Sequence, residues 1–160
     1  MPHDDYQEVY TAPKTQGHLL DTIWRLKHNL DIVGDFVNTL EEVIILSGVA
    51  GGTVTAGDVV YVSASNTVTR AQANAVNTSD VIAIALTGGT VGQAITFQVT
   101  GCVERVGWGL TAASIYYLSA GVAGALTTTA PTTTGQVVVV IGKTVTSDKL
   151  VLQIGQGILL

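Results

Sequence analysis

VTAGDVVYVSA (Val54–Ala64) and LTAASIYYLSA (Leu110–Ala120) align without a gap at a separation of 56 residues, with five identities. Short runs of β-branched and aromatic residues closed by Gly, Asn or Asp are the pattern of strands and turns. Working outward, VIAIAL (Val81–Leu86) pairs with VVVVIG (Val137–Gly142), and ITFQV (Ile95–Val99) with LVLQI (Leu150–Ile154), at separations of 55 to 56. A fixed period of this kind predicts a tandem pair, at about 53–101 and 109–156, inside a β-domain covering 48–160. Each repeat reads as two hairpins, with strands near 58–63, 67–71, 81–87 and 94–100, then near 114–118, 124–128, 136–144 and 149–155. Eight strands suffice for a duplicated small β-barrel or a two-sheet β-sandwich. Between the repeats, TFQVTGCVERV alternates inward Phe97, Val99 and Val103 with polar neighbours and bridges the halves.

The front of the chain has different physics. Residues 1–46 hold eight of the twelve acidic residues, three of the seven basic ones and all three histidines, whereas 47–160 carry only eight charges. Residues 1–16, with Pro2 and Pro13 and no helical period, read as an extended arm. From there Leu19, Ile23, Leu26, Leu30, Val33, Val37, Leu40 and Ile44 recur at alternating spacings of four and three, which predicts one α-helix over 17–47 stopped by Ser47–Gly48. Gly34 in its middle costs about 1 kcal/mol relative to Ala. Two readings of this helix stand side by side. Leu20, Ile32, Phe36 and Val43 widen the stripe, as in a helix packed on its own β-domain. The strict 3.5-residue period suits copies of the helix bundled round a symmetry axis, a coiled coil holding an oligomer. The overall expectation is a mainly β protein with an N-terminal arm and one helix.

Several functions are disfavoured. A net charge of −5 with basic residues scattered singly offers no surface for nucleic acid. No apolar run approaches the ~18 residues that cross a bilayer as a helix; Val43–Leu46 and Val137–Ile141 are strand-sized. The acidic start, MPHDDYQEVY, lacks the positive and apolar character of a secretory signal, so synthesis in the cytoplasm is expected. A single cysteine, Cys102, excludes an intrachain disulfide and is read as a small buried hydrophobe. His3, His18 and His28 lack metal-ligand spacing.

Catalysis needs converging groups, and the β-region supplies only Asp58, Asp80, Glu104 and Asp148 as carboxylates, with no histidine and no G-x-S-x-G turn. GGTVTAG (Gly51–Gly57) lacks the Lys-Ser/Thr ending of a phosphate loop and reads as a turn. No enzyme activity, cofactor or metal is expected. Tyr61, Trp108, Tyr116 and Tyr117 read as core or interface residues, or as a platform on which sugars stack.

Few charges on a β-rich chain leave strand edges poorly protected, which favours oligomerisation. Ile158, Leu159 and Leu160 form an apolar end that predicts burial against another subunit or a partner.

At GLTAASIYYLSAGVAGALTTTAPTTTGQVVVVIGKTVTSDKLVLQI (Gly109–Ile154) the sequence resembles a segment common in tailed-bacteriophage virion proteins, marked by YYLS, a glycine turn, LTTTAP and G-x-VVVVIG. GTVTAGDVVYVSASNTVTRAQANA, followed by VIAIALTGGTVGQAITFQVTG, resembles capsid decoration (cement) proteins, so the similarity spans about residues 50–160. Fibre and spike modules share these motifs. The resemblance implies a structural protein on the virion exterior, a homotrimer bound to the major capsid protein. The alternative is a tail-fibre or host-recognition protein that binds glycans. Asp4, Asp5 and Glu8 near Tyr6, Val9 and Tyr10 would then let the arm lie on basic patches of the shell.

Overall fold

The computed structural model describes residues 43–160, which form one contact unit beginning at Val43. Twelve strands follow in order: β1 (Ile45–Ala50), β2 (Val59–Ala64), β3 (Thr67–Arg70), β4 (Val81–Ala85), β5 (Ala94–Gln98), β6 (Cys102–Glu104), β7 (Ile115–Leu118), β8 (Leu126–Thr127), β9 (Val137–Val138), β10 (Val140–Thr146), β11 (Lys149–Leu152) and β12 (Ile158–Leu159). One 3-10 turn at Val76–Thr78 precedes β4.

The first five strands close a barrel in the order β1-β3-β2-β4-β5. β1 completes it, running antiparallel to β5 through Leu46↔Phe97 and Gly48↔Ile95 and parallel to β3 through Val49↔Thr67 and Ala50↔Val68. Five strands leave a narrow interior, and it is filled accordingly. Ala50, Ala83 and Ala85 take the tight positions, while Val54, Val60, Val68, Ile95 and Phe97 supply the bulk of one core cluster.

The second half forms a five-stranded sheet ordered β6-β11-β10-β7-β8. In sequence terms β6, β7, β8, β10 and β11 follow one another as β1 to β5 do, and their neighbours are the same, except that β6 and β8 do not pair as β1 and β3 do. The barrel is closed and its counterpart is open. A second core cluster joins the two. Tyr116, Leu118, Val139, Ile141, Leu150 and Val103 from the sheet meet Val59, Val81, Ile84, Ala71 and Ala73 from the barrel side. β2 is therefore buried on both faces, Val60 toward the barrel interior and Val59 toward the sheet. Backbone bonds stitch the same seam: Val59 N–H donates to Gly124 O at 2.8 Å, Ala73 N–H to Ser119 O at 3.0 Å and Val137 N–H to Ala73 O at 2.9 Å.

All eight strands expected from the sequence are present, the one near 136–144 divided into β9 and β10. β1, β6 and β12 are additional. The end of the predicted helix is corrected: residues 45–47 belong to β1, and Ile44 is a ladder residue and not a helical seam position. Its carbonyl accepts from Val99 N–H at 2.8 Å, and its own N–H donates to Thr100 Oγ1 at 3.2 Å. Tertiary pairing with β5 outweighs a local spacing that happens to continue the 3.5 period. Gly48, read as a helix stop, instead permits close approach, because a Cβ there would lie 3.1 Å from Asn66 O and 3.3 Å from Phe97 Cε1. The other seam positions, Leu19 to Leu40, lie outside the described residues.

Cys102 is also corrected. It is exposed, because β6 alternates exposed, buried, exposed and only Val103 points into the core. Among the described residues no helix is long and apolar enough to cross a membrane.

Candidate interaction surface

Besides Ile44, now a partner of Val99 and Thr100, the candidate contact residues that the structure describes are Ile158, Leu159 and Leu160. β12 pairs antiparallel with β9, Ile158 opposite Val138 and Leu159 opposite Val137. Two further backbone bonds extend the ladder, Leu160 N–H to Gln136 O and Gly135 N–H to Leu160 O, each 2.9 Å. Gly157 makes the approach possible, since a Cβ there would meet Val137 Cγ1 at 2.7 Å.

The backbone is held in a ladder, yet the side chains are not covered by any of the other described residues. Ile158, Leu159 and Leu160 are 65%, 59% and 41% exposed. A backbone already held in a ladder needs less ordering when a partner covers its side chains, and since each is already partly buried, covering the remainder contributes on the order of 1 kcal/mol apiece. Beside them runs a groove of about 670 Å³ lined by Tyr61, Val62, Val76, Asp80, Val137 and Leu159. Val62 and Val76 are themselves exposed, and sequence reading missed both. Val62 shares a face of β2 with buried Val60, so alternation gives no sign of its exposure, and Val76 sits in the 3-10 turn, where no periodicity marks it. Exposed Ile45 and Leu46 on β1 form another apolar strip.

The remaining candidate residues fall out differently. The arm residues Asp4, Asp5, Tyr6, Glu8, Val9 and Tyr10 and the seam residues Leu19, Ile23, Leu26, Leu30, Val33, Val37 and Leu40 lie outside the described residues. The four aromatics do not share one platform. Tyr116 is buried, its hydroxyl accepting from Thr111 N–H at 2.8 Å, while Tyr61 and Trp108 pack half-buried against the core that joins the two halves. Core anchoring accounts for all three.

Charged groups are few and spread out. Lys149 Nζ and Glu104 Oε2 pair across β11 and β6 at 3.2 Å in an exposed setting, where such pairs contribute about 0–1 kcal/mol. Among the described residues no cluster of His, Cys, Asp or Glu has metal-binding geometry. A scan against protein-family models finds no match, and neither does a search of curated proteins.

Proposed function

We propose that this protein is a structural component of a phage-like virion, a decoration protein that self-associates as a homotrimer and binds the outer surface of a capsid shell through the major capsid protein. The observation that carries the reading is the rigid apolar ledge at Ile158–Leu160. It is anchored by its backbone, left uncovered by the other described residues, and set on a β-module with only eight charges in residues 47–160. Such a surface suits a permanent contact more than a soluble catalyst. The shared strand order of barrel and open sheet supports a second element of the reading, that one module was duplicated in tandem. The resemblance at Gly109–Ile154 supplies the phage context, and three arms engaging one shell would add avidity.

The test is reconstitution on expanded shells that lack the protein. The purified chain is expected to co-sediment with them and to raise the temperature at which they lose their contents. No co-sedimentation, or an unchanged temperature after binding, would contradict the assignment.

A further inference from the structure

A pocket of about 410 Å³ lies where three separate turns meet, lined by Thr55, Gly57, Asp58, Arg105, Trp108 and Leu126. We propose that this pocket binds a saccharide unit bearing a carboxylate, a uronic-acid-type sugar. The proposal goes beyond the structural role and does not depend on it.

Two hydrogen-bond donors lie side by side there. Arg105 Nη1 and Trp108 Nε1 both pack against Gly57, 2.6 Å and 3.1 Å from where its Cβ would be. Gly57 has φ +93°, and its missing side chain is what lets the two donors come together at this turn. No hydrogen bond or ion pair among the described residues engages the guanidinium or the indole N–H. A planar guanidinium beside a second N–H is a natural receptor for a carboxylate.

An acceptor lines the same pocket with its orientation already fixed. Thr55 N–H and Thr55 Oγ1 both donate to Asp58 Oδ2 at 2.8 Å. Asp58 Oδ1 would lie 3.0 Å from a Cβ on Gly124, whose φ of +81° likewise demands glycine. One carboxylate oxygen is thus held by the turn, and the other is left to accept from a hydroxyl. Leu110, Ala125 and Leu126 add apolar wall, which suits the C–H face of a sugar ring. Paired donors for a carboxylate, a set acceptor for a hydroxyl and an apolar wall match a uronic acid better than a neutral sugar or a simple anion.

The full chain is titrated with D-glucuronic acid, D-glucose and acetate while the indole N–H resonance of Trp108 is followed by NMR. A saturable shift with glucuronic acid, weaker by about tenfold or more for the other two probes, is expected. Arg105→Gln, followed by the same resonance, and Trp108→Phe, followed by the backbone amides of Thr55 and Gly57, are each expected to weaken binding about tenfold, and their unchanged amide spectra elsewhere establish that they fold. Absence of a saturable shift with glucuronic acid up to about 50 mM would overturn the proposal. So would equal shifts with acetate, which would reduce the pocket to a simple anion site, or full retention of binding in both variants.

Discussion

Ile82 in β4 and Ile141 in β10 occupy the same place in two different sheets. In the barrel, Val60 pairs with Ala83 and the next residue, Tyr61, with Val81, so Ile82 is the extra residue. In the open sheet, Tyr116 pairs with Gly142 and Tyr117 with Val140, so Ile141 is extra in the same sense. A bulge at an equivalent step adds local twist, and it aligns Ala83 with Gly142.

That equivalence makes an unequal prediction for the two strands. Ala83 carries its Cβ into the barrel core, whereas a Cβ on Gly142 would fall on the carbonyl oxygen of Val151, a backbone group that β11 cannot move freely. Gly142→Ala is expected to lower stability by at least about 2 kcal/mol in urea titration. A loss under about 0.5 kcal/mol would mean that β10 and β11 lie farther apart than described.

Thr144, 2% exposed, ties the start of the second half together. Its Oγ1 donates to Thr111 O at 2.6 Å and accepts from Ser114 N–H at 3.0 Å. Thr144→Val keeps the shape and strands both partners, so a loss of about 1–3 kcal/mol is expected, together with faster amide exchange at Ser114. Thr144→Ser, which retains the hydroxyl, is expected to recover most of that loss.

Replacing Ile158 and Leu159 together by Ser removes exposed side chains and leaves the β12–β9 backbone ladder in place. The far-UV spectrum is expected to be unchanged while self-association, followed by sedimentation equilibrium, weakens at least about tenfold. Undiminished association would move the contact to another face.

The heptad spacing at 19–44 makes a separate prediction. Leu30→Asp with Val37→Asp puts charges at two expected seam positions, which is expected to dissociate the oligomer and spare the β-module. A double variant that assembles normally, by mass measurement, would return these positions to intrachain packing.

The strands were legible where β-branched runs stand between punctuation, as at Val59–Ala64 and Val137–Thr146. β1 was hidden because Val43, Ile44 and Leu46 continue the helical spacing of the preceding segment, and only pairing with Phe97 and Gln98 reveals a strand. β6 was too short at three residues to announce itself, and with it went the alternation that turns Cys102 outward. The alignment of Val81–Leu86 with Val137–Gly142 is three residues out of phase with the matched bulges at Ile82 and Ile141, because these runs are apolar at nearly every position and carry no alternation to fix their register. Residues 158–160 stand out in the sequence by hydrophobicity alone, and their side chains are exposed among the described residues. The Arg105, Trp108 and Asp58 pocket was not, since nothing along the chain links turns 50 residues apart; the one clue was Gly57 beside an acidic residue.

Self-association is the claim on which the structural role rests, and light scattering on the purified full chain tests it most directly. The account predicts about 50 kDa at micromolar concentration, three chains of 16.6 kDa. A stable species of about 17 kDa, unchanged as the concentration rises tenfold, would contradict it.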